Sequence, residues 1–195
     1  MKKIQGYIKF EELRKQLLLL DNAQDKFIVL AVYNGIAGKS NMSELLNLKV
    51  EDVDFKKHII TVGDREVHMD KEFEKITKEA IEQDVYISEV NSKHGLEEYE
   101  LNRESEYVVR IRPKAINNWG LEPMKYGGFR ARINAIREKC GLELSASQLE
   151  TSGIVNGLLT EKKDWTVLDI EFALRMKNIK ANAYRIYSII KEINE

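Results

Sequence analysis

Apolar residues recur at the spacing of a helix face in two groups between residues 9 and 34. They are Phe10, Leu13, Leu17 and Leu20, followed by Phe27, Leu30, Ala31 and Tyr33. The run Asp21-Asn22-Ala23 separates the two groups. Apolar positions at this period indicate amphipathic helices, and a polar break between them indicates a turn. The pattern therefore predicts a helical hairpin.

The pattern then changes several times along the chain. Ser43–Leu48 continues the helical period, His58–Val62 and Arg65–Met69 alternate like strands around a two-residue turn, and residues 70 to 84 return to helix. Residues 88 to 105 are polar and leave the structure undecided, whereas Tyr107–Ile111 alternates like a strand. Further helices are predicted at about 125 to 139, 146 to 159 and 166 to 176, and over Ala183–Ile193. No repeat or linker divides the chain. We expect a single, mainly α-helical domain over residues 1–195 with a small antiparallel β-sheet.

Composition narrows the class of protein. Of 195 residues, 43% are hydrophobic and 32% are charged, which is typical of an ordered globular protein. The longest apolar run, Phe27–Tyr33, is far shorter than the roughly 20 residues of a membrane span. Cys140 is the single cysteine, and His58, His68 and His94 are scattered, so neither a disulfide nor a zinc site is indicated. We expect a cytoplasmic protein without metal or cofactor.

Charge is distributed unevenly although the net charge is only -1. Between Glu66 and Glu106 there are thirteen acidic and five basic residues, whereas between Arg110 and Lys139 there are eight basic and two acidic residues. A basic segment of this kind can bind phosphate. The alternative is that both segments are solvated faces whose charges balance in the fold.

One phosphate-binding motif is rejected. Gly38-Lys39-Ser40 matches the end of a P-loop, but the first glycine of that motif would fall at Tyr33. The preceding residues also predict a helix where the motif requires a strand.

A second pattern is more specific. The order is two helices, a loop at Gly35, the run Ser43–Asp54 and then the strand His58–Val62. It resembles the tyrosine recombinase (phage integrase) family. There a threonine-glycine-leucine-arginine-x-serine-glutamate-leucine-leucine box precedes leucine-x-x-x-aspartate-valine-aspartate and a small antiparallel sheet. The resemblance continues through the basic helix Phe129–Cys140 to Leu144–Ser152, where the family has proline-histidine-x-leucine-arginine-histidine-threonine, and ends near Tyr187. It covers about residues 8 to 190 and implies the catalytic-domain fold.

The resemblance also implies a chemistry whose residues are mostly replaced. Family enzymes attack a phosphodiester with a tyrosine, bind its oxygens with two arginines, and transfer protons with histidine and lysine. Guanidinium suits this role because it is permanently charged and offers bidentate donors. The corresponding positions here are Asn41 (or Ala37, counting from Gly35), Arg65 for the lysine, Ser147 for the histidine, Glu150 for the second arginine, and Tyr187 or Tyr184 for the nucleophile. An anion thus replaces a cation, and we expect no enzyme activity.

Structural explanations exist for two of these residues. Ser147 and Glu150 have capping-box spacing, as do Ser145 and Gln148, and either pair could close a helix N-terminus. Tyr187 lies among isoleucines at helical spacing, which is also the pattern of a core or interface residue.

The resemblance implies a fold that binds double-stranded DNA, and loss of catalysis would leave binding as the retained function. Family members with degraded catalytic boxes resemble integrase-fold phage repressors, so we expect a phage or prophage transcriptional repressor. Eight basic residues are predicted to contact DNA: Arg110, Arg112, Lys114, Lys125, Arg130, Arg132, Arg137 and Lys139.

The family's N-terminal core-binding domain is not part of this sequence, so we expect a homo-oligomer or a second DNA-binding domain or protein to complete the surface. The isoleucine stripe of the last helix could be exchanged between protomers or pack within one chain. Two alternatives remain: an interaction module that kept the fold without binding DNA, and a divergent active recombinase or topoisomerase-like enzyme.

Overall fold

The computed structural model describes residues 4–37, 41–88, 97–143 and 145–195. Its α-helices in that part of the chain are α1 (Phe10–Leu17), α2 (Ala23–Tyr33), α3 (Ser43–Leu46), α4 (Lys71–Glu82), α5 (Tyr126–Cys140), α6 (Ala146–Glu161), α7 (Val167–Met176) and α8 (Ala183–Asn194). Its strands are β1 (Val53–Asp54), β2 (Ile59–Val62), β3 (Arg65–His68), β4 (Val85–Ser88) and β5 (Glu97–Glu100). Short 3-10 helices cover Val50–Asp52 and Ala115–Gly120. The mainly helical fold with small antiparallel sheets is confirmed.

The predicted helical hairpin is present as α1 and α2, and α2 is the central helix of the fold. It packs against α3, α4, α5 and α6, and its residues from Phe27 to Tyr33 are buried on every side. A helix that is apolar all round is typical of such a position. Because α2 lies in the middle, its C-terminal end at Tyr33 is where several elements meet.

The predicted two-stranded hairpin forms the larger part of a three-stranded sheet. β2 pairs antiparallel with β3 in the register Ile60 to Val67, and Gly63 takes a positive φ of 61° in the turn. A positive φ is costly for residues other than glycine, so Gly63 suits this position. Pattern analysis missed β1, which adds to the outer edge of β2 over only two residues. Two residues are too few to show the alternation of polar and apolar side chains that identifies a strand in a sequence.

The predicted strand Tyr107–Ile111 is wrong. Only Tyr107 makes a β-bridge, to Lys49, and then the backbone turns away so that the Arg110 amide donates to the side chain of Gln24. Val108 and Val109 are both buried, and burial explains an apolar pattern that the sequence could not distinguish from strand alternation. Instead, β4 and β5 pair with each other; β5 lies within the stretch that the sequence left undecided, whereas β4 lies just before it and was not predicted.

The four predicted C-terminal helices are present as α5 to α8. A large apolar core joins α1 to α5 with the first sheet, and a second core forms among α6, α7 and α8. The α8 isoleucines Ile186, Ile189 and Ile190 are buried in this second core. In this chain the isoleucine stripe therefore packs internally, which is one of the two alternatives that the sequence left open.

No helix in the described ranges is long and apolar enough to cross a bilayer. Three features named from the sequence lie outside the described residues: His94, Leu144 and the segment Gly38-Lys39-Ser40.

Candidate functional site

A cleft of 760 Å³ opens where the C-terminal end of α2 meets α3, the start of β3, α6 and the end of α7. Its polar and charged lining among the described residues is Asn34, Glu44, Asp64, Arg65, Glu150, Lys177, Asn178 and Lys180. Two positions derived from the family pattern, Arg65 and Glu150, are thus brought together although 84 residues separate them in the sequence.

Arg65 is held within the cleft by two partners. Its Nη2 atom donates to the backbone carbonyl of Gly35 at 2.8 Å and to Glu44 Oε2 at 2.5 Å. Both side chains of the ion pair are about two-thirds or more shielded from solvent. The charge of Arg65, the residue predicted to replace the family's lysine, is therefore compensated by a carboxylate of the same cleft.

Glu150 lies on the second turn of α6 and is partly buried. Burial raises the pKa of its carboxyl group, the positive charge of Arg65 lowers it, and the negative charge of Glu44 raises it further. Glu44 forms the ion pair with Arg65, whereas Glu150 interacts with the same cation only at longer range. When ionised, these three side chains carry one net negative charge, which opposes phosphate binding beside Arg65.

The structure decides between the two capping explanations. Ser145 caps α6 by accepting from the Gln148 amide, while Gln148 Oε1 accepts from the Ser145 amide at 2.9 Å. Ser147 is exposed, and its carbonyl accepts a hydrogen bond from Thr151 Oγ1. Glu150 is therefore free of any capping role, and its side chain lines the cleft.

A glycine sets how closely α6 approaches α2 behind the cleft. A Cβ atom on Gly153 would lie 1.7 Å from the carbonyl oxygen of Tyr33. No side chain can occupy that space without moving a helix. Gly157, one turn later on α6, has open space around it.

The remaining positions of the family pattern do not line the cleft in the described part of the chain. Ala37 is buried in the core, and Asn41 is exposed with a positive φ of 59°. Tyr187 packs against the second core, whereas Tyr184 is 68% exposed. No arginine pair and no tyrosine nucleophile is therefore assembled beside Arg65 among these residues.

Comparison with known proteins gives the family. The family model described as "MrpR, C-terminal catalytic domain" matches residues 7–192. The chain belongs to this family. A comparison with curated proteins finds no match. Among solved structures, this chain is similar to one titled "Crystal structure of XerA recombinase", with a TM-score of 0.64 and 17% sequence identity. The alignment covers 98% of this chain and 63% of the XerA chain. The MrpR-type chain therefore has the tyrosine recombinase fold, as predicted.

Two of the eight predicted DNA contacts are wrong. Arg110 is only 4% exposed and Arg132 only 7%. Arg110 Nη2 donates to the carbonyls of Ile81 and Gln83 at the end of α4. Arg132 Nε lies 3.4 Å from Asp25 Oδ1, and its guanidinium group stacks over Tyr86 at 4.1 Å. In both residues the guanidinium group is buried and bonds to protein atoms in place of water. Neither side chain is exposed enough to contact a DNA phosphate.

Three further basic residues are engaged within the fold. Arg112 pairs with Glu97 at 2.5 Å, Lys139 pairs with Asp21 at 2.5 Å, and Arg137 Nε donates to the carbonyl of Leu142 at 3.3 Å. They are at least partly exposed, so a phosphate would have to compete with these partners.

The last three predicted contacts are Lys114, Lys125 and Arg130. All three are exposed, and none has an ion pair or a side-chain hydrogen bond with the described residues. Lys125 is the N-cap residue of α5, whose first turn holds no acidic residue and has no side-chain cap. A helix N-terminus carries partial positive charge, which adds to that of Lys125.

Two features of the surface and the cleft were not predicted from the sequence. Glu44 was part of the matched box, but its pairing with Arg65 required the tertiary contact. Ile116 and Trp119 are 87% and 63% exposed on the 3-10 segment beside Lys114. Their signal in the sequence was weak: two large apolar residues around Asn117 and Asn118, outside any periodic element.

Proposed function

We propose that this chain is a DNA-binding regulator with the tyrosine recombinase fold that does not cleave DNA, and that it serves as a phage or prophage repressor. The observation that carries the proposal is the position of Glu150 in the cleft, beside an Arg65 that Glu44 already neutralises. The fold is kept, while an acidic side chain stands where the family pattern predicts the second arginine.

The size of the charge effect supports loss of catalysis. A unit charge about 4 Å from another interacts by roughly 4 kcal/mol at an effective dielectric constant near 20. Replacing an arginine by Glu150 exchanges attraction for repulsion of that order. Loss of one oxyanion donor already costs about a hundredfold to a thousandfold in rate. The combination leaves no useful rate of strand cleavage.

DNA affinity would then depend on the exposed cations outside the cleft. Lys114, Lys125 and Arg130 fall within 17 residues of one another, at the start of α5 and just before it. Unpaired cations can exchange their counterions for DNA phosphates without losing an internal ion pair, which favours binding at low salt.

Binding to labelled double-stranded DNA from the gene's own genomic neighbourhood tests the proposal. We expect saturable binding at low salt that weakens steeply as salt rises. Lys125→Glu/Arg130→Glu should abolish most of it. The matched control, Lys75→Glu/Lys78→Glu, makes the same change in net charge on the exposed face of α4 and should retain binding. Absence of binding by the unaltered chain at low salt would contradict the proposal and favour an interaction module.

A divergent recombinase is the second candidate, because Arg65 remains in the cleft. Such an enzyme would form a covalent tyrosine adduct on a suicide DNA substrate. We expect no adduct. An adduct that is lost in Tyr187→Phe or Tyr184→Phe would overturn the noncatalytic assignment while leaving DNA binding intact.

A further inference from the structure

The segment Arg112–Gly120 presents two large apolar side chains to solvent on a backbone that is held in shape. Ile116 is the most exposed large apolar residue of the described chain at 87%, and Trp119 is exposed at 63%. Neither has a ring contact or a hydrogen bond from its side chain with the described residues. Single exposed apolar residues are normal on a protein surface, whereas several on one short segment can mark an interaction site.

The other tryptophan is a useful contrast. Trp165 is partly buried, its Nε1 donates to the carbonyls of Leu158 and Lys162, and the Lys162 ammonium lies 4.5 Å from its ring centre. The fold therefore accounts for Trp165. It does not account for Trp119.

The backbone of the segment is unusual and well braced. Asn118 and Trp119 both have left-handed backbone conformations, at φ 48° and 56°, which residues other than glycine seldom adopt. Asn117 compensates, because its Oδ1 accepts from the amides of Lys114 and Gly120 at 2.8 and 3.1 Å. Its Nδ2 donates to the carbonyl of Arg112 at 2.8 Å.

A second brace comes from outside the segment. Asn102 Nδ2 donates to the carbonyl of Trp119 at 2.9 Å and so ties the left-handed turn to the residues that follow β5. Conformational strain persists only where surrounding structure determines it, and it concentrates at functional positions. The indole is thereby placed in solvent with a defined backbone direction.

The charge around the segment indicates the class of partner. No acidic residue occurs from Tyr107 to Leu121, and the unpaired Lys114 lies two residues before Ile116. An apolar pair beside an exposed lysine fits a polyanion that offers stacked aromatic bases between phosphates. Proteins that deform DNA insert apolar side chains at base steps in this way.

We propose that Ile116 and Trp119 form an apolar wedge that enters a groove of double-stranded DNA and packs against a base step, while Lys114 binds a neighbouring phosphate. This inference rests on the proposed DNA-binding function and adds the residues through which the protein contacts or deforms the bases.

The first experiment follows Trp119 directly. Trp165→Phe leaves Trp119 as the single tryptophan. Adding mixed-sequence duplex DNA at low salt should quench its fluorescence, because stacking against bases quenches an indole. The unaltered chain, with both tryptophans, provides the same readout if the variant folds poorly.

The second experiment separates the wedge from phosphate contacts. Trp119→Ala and Ile116→Ala should each weaken binding, by about tenfold to a hundredfold for Trp119, without changing the dependence of log affinity on log salt. Lys114→Ala should instead reduce that slope by about one. Phe172→Ala is the control, because Phe172 on α7 is similarly exposed at 66% but has no role in the proposal.

The outcomes separate the two proposals. Binding that neither quenches Trp119 nor depends on Trp119 and Ile116 would overturn the wedge and leave DNA binding standing, and would point to a protein partner for these side chains. Failure of the unaltered chain to bind any duplex at low salt would overturn both.

Discussion

The guanidinium group of Arg65 binds the carboxylate of Glu44 within the cleft, with 2.5 Å between Nη2 and Oε2. Glu44 belongs to α3 and Arg65 to β3, so the ion pair joins two elements of the first half of the chain. Glu150 approaches the same cation from α6. Glu44 therefore neutralises the arginine of the cleft, and Glu150 adds a negative charge near it when ionised.

Removing the shared cation should destabilise the protein. Arg65→Ala leaves Glu44 and Glu150 facing each other without compensation and leaves the carbonyl of Gly35 without its donor. We expect the free energy of unfolding in urea to fall by about 1 to 2 kcal/mol at neutral pH. Glu44→Gln/Arg65→Ala should recover part of this loss, since it removes one of the two like charges. Equal stability of the single variant and the unaltered chain would show that the ion pair contributes nothing.

Glu150 should make stability depend on pH in a definite direction. Because burial raises the pKa of Glu150 in the folded state, the folded chain binds this proton more tightly than the unfolded chain. Its favourable contribution is fully present below the unfolded pKa and is lost as pH rises through the folded pKa. Glu150→Gln removes the cost of ionising this partly buried carboxyl group. The melting temperature of the variant, relative to that of the unaltered chain, should therefore be higher at pH 7 than at pH 4.

The control for this pH experiment is Glu104→Gln, which changes an exposed carboxylate outside the cleft. Its melting temperature should differ from that of the unaltered chain by about the same amount at both pH values. A Glu150→Gln variant that gains stability equally at both pH values would show that ionisation of Glu150 is not the cause.

Close packing of α6 on α2 should make Gly153 intolerant of any side chain. Gly153→Ala places a methyl group 1.7 Å from the carbonyl oxygen of Tyr33, so α6 must shift and the wall of the cleft with it. We expect a loss of about 1 to 3 kcal/mol or more in urea unfolding, as for other overpacked sites. Gly157→Ala, in open space on the same helix, should instead stabilise by about 0.4 to 1 kcal/mol. Equal effects would contradict the close approach.

Arg132 and Arg130 should behave oppositely although they lie two residues apart on α5. Arg132→Ala leaves Asp25 buried without its cation and should cost about 3 to 5 kcal/mol in thermal or urea unfolding. Arg130→Ala changes an exposed side chain and should stay within about 0.5 kcal/mol of the unaltered chain. DNA binding should weaken in the Arg130 variant while its fold remains intact. A stable Arg132 variant would contradict the buried pair.

Much of the fold could be predicted from local patterns. The helical hairpin, the strands on either side of Gly63 and the four C-terminal helices follow from periodicity that extends over a full element. Prediction failed where the evidence was short or ambiguous. The two residues of β1 carry too little pattern to detect, and the burial of Val108 and Val109 has the same apolar signature as a strand.

The charge pattern located a segment rich in cations but could not assign a role to each residue in it. A sequence reveals that Arg110 to Lys139 is rich in cations, but it cannot reveal which of them the fold itself uses. Burial of Arg110 and Arg132 depends on Gln24, Asp25 and the end of α4, which lie more than 25 residues away along the chain.

The sequence by itself determined most of the helices, the hairpin around Gly63 and the resemblance to the family, because these depend on residue identity and on spacing along the chain. Only the tertiary structure decided that Glu44 pairs with Arg65 in the cleft that Glu150 also lines, that α8 packs within this chain, and that Trp119 projects into solvent. These properties depend on distances between residues that are remote in sequence. Electrostatic and packing energies act through space, so no local pattern encodes them.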